Sequence, residues 1–147
     1  MLFRSNSVIY QFGFSSTTGK LNSAPTTSIA VSSLNNTPCS PLTEGYNPNA
    51  SGGAKDWLFF SVTDHGVGGC GNSPCVYQID VTNAPATLSI GQTSTNVPNQ
   101  GTSGMIIDNV SVLSETSNIY FVPLGARACT VGVTGACATK LHQSNLQ

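Results

Sequence analysis

Three blocks of this 147-residue sequence recur in the same order at nearly constant spacing. CSPLTEGYN (39–47) lines up with GTSGMIIDN (101–109). WLFFSV (57–62) lines up with IYFVPL (119–124) after a slip of one residue, and CVYQIDVTN (75–83) lines up with CATKLHQSN (137–145). The offset is about 62 residues throughout, and self-similarity at a fixed period is the mark of a repeat architecture. SVIYQFGF (7–14) also resembles PCVYQIDV (74–81), with the offset lengthened by a few residues of surface loop.

Within each unit the pattern is that of β-strands. Residues Val8 to Phe14 alternate, as a strand with one buried face does. Trp57 to Val62 is almost continuously apolar, which suits a strand buried on both faces. Val76 to Val81 alternates again, and 105–107 and 119–122 are short apolar runs. Between them lie the Gly/Asn/Ser/Pro clusters of turns, at 15–20, 46–56 and 93–104. A unit therefore holds four strands. The first lies near 40–46 or 103–108, the second at 57–62 or 119–124, and the third at 75–81 or 137–143. The fourth lies near 86–90, with a counterpart near 27–32.

Four-stranded units repeated in line are the pattern of propeller blades. The expected fold is all-β, built of antiparallel four-stranded repeat units forming a partial β-propeller. A small β-sandwich is the alternative. On this reading 1–34 supply the last two strands of a blade, 35–92 a complete unit, and 93–147 a unit without its last strand. Since a closed ring takes four or more blades, the expectation is the C-terminal part of a longer protein cut at an internal Met, its partners including the missing N-terminal blades of the same chain.

Composition narrows the function. Charged residues are 7 % of the chain and the net charge is −1, so there is no basic footprint for nucleic acid and no charged tail. No apolar run approaches the ~20 residues that span a bilayer. Two close cysteine pairs, Cys70/Cys75 and Cys129/Cys137, each bracket Gly-containing turn sequence that folds the chain back on itself, the geometry a disulfide needs. Disulfides place the protein in an oxidising compartment, extracellular, periplasmic or at the cell surface, with the signal peptide upstream of Met1. The alternative is a metal site including Asp64 and His65, but neither pair has C-x-x-C spacing and no cofactor or metal is expected. Cys39 is left over, either free or paired outside the chain. Glycosylation-type triplets at Asn35, Asn49 and Asn109 carry little weight in a chain so rich in Asn, Ser and Thr.

The series CSPLTE-x-YN, DWLFFSV, the paired-Cys loop, CVYQIDV, GTSG-x-IIDN, IYF and the closing GACATKLHQSNLQ resembles a group of bacterial exported repeat proteins with propeller-like blades and no established activity. The resemblance covers most of 38–147. It implies the fold and export, and no catalytic residue.

Chemistry-bearing residues are sparse. The acids are Glu44, Asp56, Asp64, Asp80, Asp108 and Glu115, with Asp56, Asp80 and Asp108 placed where Asp caps turn N–H groups. Asp64-His65 is the single acid–His dipeptide, at an expected loop tip, and His142 takes the repeat position of Asp80. No nucleophile elbow or phosphate-cradling loop is present. Tyr46 is the candidate exposed loop aromatic. The expected function is a non-enzymatic exported module that binds polysaccharide or protein, or builds a surface. Its contacts are made through Tyr46, Asp64, His65 and the loops at 46–56, 64–74, 93–104 and 125–136. The rival is a fragment of an extracellular hydrolase or lyase on a propeller scaffold.

Overall fold

The run Lys55–Val62 is the centre of the molecule because its side chains are apolar at both even and odd positions, so it needs cover on both sides. In the computed structural model, which describes residues 7–48, 50, 52–83, 88–95, 100–108, 117–130, 133–135 and 137–142, it is strand β4. It stands between β3 (Thr43–Asn47) and β5 (Cys75–Asp80), with β6 (Ser89–Ser94) at the outer edge, in the antiparallel order β3-β4-β5-β6. A two-stranded sheet, β1 (Val8–Gln11) with β2 (Thr27–Ala30), precedes it. A three-stranded sheet follows in the order β7 (Ile106–Asp108), β8 (Asn118–Phe121), β11 (Thr139–His142).

The described residues contain no helix, so none that is long and apolar enough to cross a membrane, and no sheet among them closes on itself. The fold is all-β and antiparallel. A second hairpin, β9 (Arg127–Thr130) and β10 (Val133–Gly135), lies in the stretch read from sequence as loop 125–136.

Strand alternation sends the side chains of β4 into two separate cores. Phe60 and Val62, with Leu58 beside them, join Tyr77, Ile79 and Cys75 of β5 against Ile9 and Ile29 of the two-stranded sheet and Val31 just beyond it. Trp57 and Phe59 join Val76 against Ile107, Ile119, Phe121 and Leu141 of the three-stranded sheet, with Met105. The four-stranded sheet is thus the middle of three layers, where a β-sandwich would have two.

Polar links tie the layers. The Tyr77 hydroxyl, 2.7 Å from Val31 O and 2.8 Å from Val67 O, shares one proton between two carbonyls. Its ring stacks on Phe60 with centroids 5.1 Å apart. Burial pushes the Tyr77 phenol up to about 12. On the other side, Ser61 and Thr102 hydroxyls meet at 2.9 Å, and the Thr43 hydroxyl donates to Met105 O at 3.1 Å. Gly45 lets the third sheet close in, since a Cβ there would lie 2.5 Å from Ile107 Cδ1.

Candidate functional site

The strand order divides the connections between two ends of the middle sheet. The β4–β5 connection, the start of β6–β7 and the β8–β11 connection share the end marked by Cys75. The β3–β4 and β5–β6 connections lie at the other, marked by Asp56 and Asp80. The loops 46–56 and 64–74 are therefore about 20–25 Å apart along β4, at ~3.3 Å per residue, and do not join in one contact surface. This separates Tyr46 from Asp64 and His65.

At the cysteine end, both pairs are disulfides. Cys70–Cys75 has Cα atoms 5.9 Å apart and Cys129–Cys137 5.6 Å. Gly66 packs against the first bridge so closely that a Cβ would come within 2.9 Å of both Cys70 Cβ and Cys75 Cβ. Cys39 is a free thiol, half-buried, and burial raises it to about 11. At neutral pH it is protonated and a poor nucleophile.

His65 has φ 50°, in the left-handed region, and its N–H donates to Asp64 Oδ1 at 2.8 Å. His65 Nδ1 lies 2.9 Å from Asp64 Oδ2, an ion-pair distance without hydrogen-bond alignment. Both side chains reach solvent. Backbone bonds hold the dipeptide in place: Ser33 N donates to His65 O, and the Ser32 hydroxyl to Asp64 O. Among the described residues no three His, Cys, Asp or Glu side chains gather as a metal site would require.

At the opposite end, Tyr46 is 60 % exposed, as expected of a binding aromatic, but it sits on strand β3 opposite Asp56 rather than in a loop. The acids have divergent roles. Asp80 Oδ1 accepts from Thr82 N at 2.9 Å, the turn cap expected of it, while Oδ2 takes Lys55 Nζ at 2.8 Å. Burial alone would raise its carboxyl, but the Lys55 and Thr82 hydrogen bonds outweigh that and hold it below the ordinary Asp value. Asp56 caps nothing with Oδ1, which is buried and unpartnered. Glu115, Asn49 and Asn109 lie outside the described residues.

The feature that sequence reasoning missed is a groove of about 320 Å³ between the two-stranded sheet and the middle sheet. Ile9, Tyr10 and Gln11 of β1 form one wall. Leu42, Glu44, Asp56 and Leu58 form the floor. Its signal was present: a hairpin supplying only the third and fourth strands of a unit leaves the neighbouring sheet uncovered where the first and second would lie.

No protein-family model, curated protein or solved structure matches the chain.

Proposed function

We propose that the chain is a β-propeller-like segment of an exported repeat protein, of the bacterial group its sequence resembles, acting by binding rather than catalysis. The observation that carries this reading is the middle sheet, covered on one face by a two-stranded sheet and on the other by a three-stranded one, as a blade is covered by its neighbours.

Cross-strand pairing supports equivalence of the units. Leu58 stands between Glu44 and Ile79, and Ile119 between Ile107 and Leu141. Trp57 faces Asp80 as Asn118 faces His142. Val62 bridges Cys39 as Pro123 bridges Thr102. This pairing equates Leu58 with Ile119 and Phe60 with Phe121, each turned to the preceding sheet, so this strand matches at an offset of 61 where Asp80 and His142 match at 62.

The outermost faces support further units or partners. Phe14 is 72 % exposed beside Leu21 on one side of the stack, and Ile106 is 70 % exposed on the other. The two disulfides are compatible with an oxidising environment. Contacts with neutral polysaccharide or protein fall to the sparsely charged, Gly- and Asn-containing cysteine-end loops, where exposed Ser33 and Asn72 already bond each other. Glycan-array binding measured beside hydrolysis of the same glycans tests this: retention without turnover is expected.

The second reading, an extracellular hydrolase or lyase, is favoured by one observation, the Asp64 carboxylate set against the His65 ring. Turnover that disappears in Asp64→Asn or His65→Ala would replace the binding reading with that one.

A further inference from the structure

We infer that the groove along β1 is an acceptor site for one extended strand, supplied by another unit of this same protein and resembling β4. The inference rests on the blade reading and specifies which element fills its open place.

The edge comes first. Among the described residues β1 pairs only with β2. Ser7 O accepts from Val31 N, and antiparallel alternation then turns the backbone groups of Val8 and Tyr10 to the open edge. An unpaired edge beside an apolar groove is the geometry of strand addition.

The floor identifies the occupant. Glu44 and Leu58 are paired in register, as are Ile107 and Ile119 in the following sheet. There, Ile107 and Ile119 are covered by Trp57 and Phe59, the β4 residues of the sheet before. The groove floor is the same surface one sheet earlier, without its β4. The new strand would continue the packing already made by Ile9 and Ile29 against the middle sheet.

A polar atom supplies a second, independent observation. Asp56 Oδ1 is buried without a partner and lines this groove. Asp56 follows Lys55 at the start of β4, the end where a β4-like strand stacked on this sheet would also begin. In the middle sheet Lys55 is taken by Asp80. The residue matching Asp80 in the first hairpin is Gly13, so a lysine there would be left for Asp56.

The test adds a capped peptide of residues 55–62, KDWLFFSV, to the protein and follows amide hydrogen exchange and binding of the dye-labelled peptide. Saturable binding is expected, with exchange at Val8 and Tyr10 slowed at least tenfold. Tyr10→Pro, which removes an edge N–H without touching the β2 pairing, should abolish both effects, and Tyr10→Phe should keep them.

Peptides N-methylated at alternate residues avoid any folding defect in the protein. One set should lose binding and the other retain it. A peptide with alanine for its lysine should bind several-fold more weakly. No slowing at Val8 and Tyr10, or binding indifferent to both Tyr10→Pro and the methylation pattern, would overturn the inference. The same exchange map separates the two ideas. Protected β3–β6, β7, β8 and β11 with unaffected β1 would sink the strand site alone. Unprotected sheets would sink the blade reading beneath it.

Discussion

The four-stranded sheet buries apolar side chains on both faces, whereas among the described residues the three-stranded sheet that follows it buries them on one. The two contain matching strands. Phe60 and Phe121 both turn to the preceding sheet and are both buried, in different cores. On the opposite faces the match ends. Trp57 and Phe59 are packed under the next sheet, while Ile106, paired with Tyr120, is open. Equivalent strands thus differ in burial because of what is stacked on them, and the energetic weight of a position follows its neighbours rather than its residue type.

The largest expected effect tests that statement directly. Phe60→Ala removes a ring enclosed on the middle sheet and stacked on Tyr77, and truncations of this kind cost about 3–5 kcal/mol. Ile106→Ala removes an apolar side chain of similar chemistry from the open face and should stay within about 0.5 kcal/mol. Urea unfolding of the two variants measures both. Equal losses would mean that the outer face is covered in solution and would dissolve the contrast between the sheets.

The contrast was partly legible in the sequence. A continuous apolar run such as Trp57 to Val62 can be satisfied only between two layers, so the central place of β4 could be read from composition alone. Alternation revealed β1 and β5 because one residue in two must face a core. The cysteine pairs revealed their own bridges, since short separations across glycine leave few other geometries. Tyr46 reads as loop because it opens YNPNASGGAKD (46–56), whose Asn, Pro and Gly are turn residues. Its strand is held by pairing with β4, which local propensity does not record. The β9–β10 hairpin was hidden for the same reason, in a stretch whose glycine and small residues read as a turn. The groove was legible only as the missing first and second strands of the first unit; its lining and the unpartnered Asp56 oxygen exist only once sheets are placed against each other.

A second way to sharpen the comparison uses the contact between the two sheets. Gly45 has no Cβ, and one added there would press on Ile107 Cδ1. Gly45→Ala should cost about 1–3 kcal/mol, the range of an overpacked contact. Ile107→Val deletes that terminal methyl, so the double variant should recover most of the loss. Denaturation midpoints of the two single variants and the double form a cycle whose coupling reports the sheet-to-sheet contact. Additive losses would place the two sheets further apart than the stack described.

The smallest effect distinguishes the sheets by charge. Asp80 in the middle sheet and His142 in the following one occupy the same register, across from Trp57 and Asn118 respectively. Only Asp80 meets a lysine, with side chains 29 % and 19 % exposed at Lys55 and Asp80. Its carboxyl lies below the ordinary value in the folded protein, so folding favours the ionised form. That contribution is complete above the unfolded carboxyl value of about 3.9 and is lost as pH falls through the lower folded value. Partial solvent access limits it to about 0.5–1 kcal/mol. Asp80→Asn should therefore be less stable than the parent at pH 6, and the gap should close as pH falls below about 4. His142→Asn should open no such gap over the acid range. A gap in Asp80→Asn that persists unchanged into strong acid, where the carboxyl is neutral, would mean that the charge on Asp80 is not what stabilises this edge of the sheet.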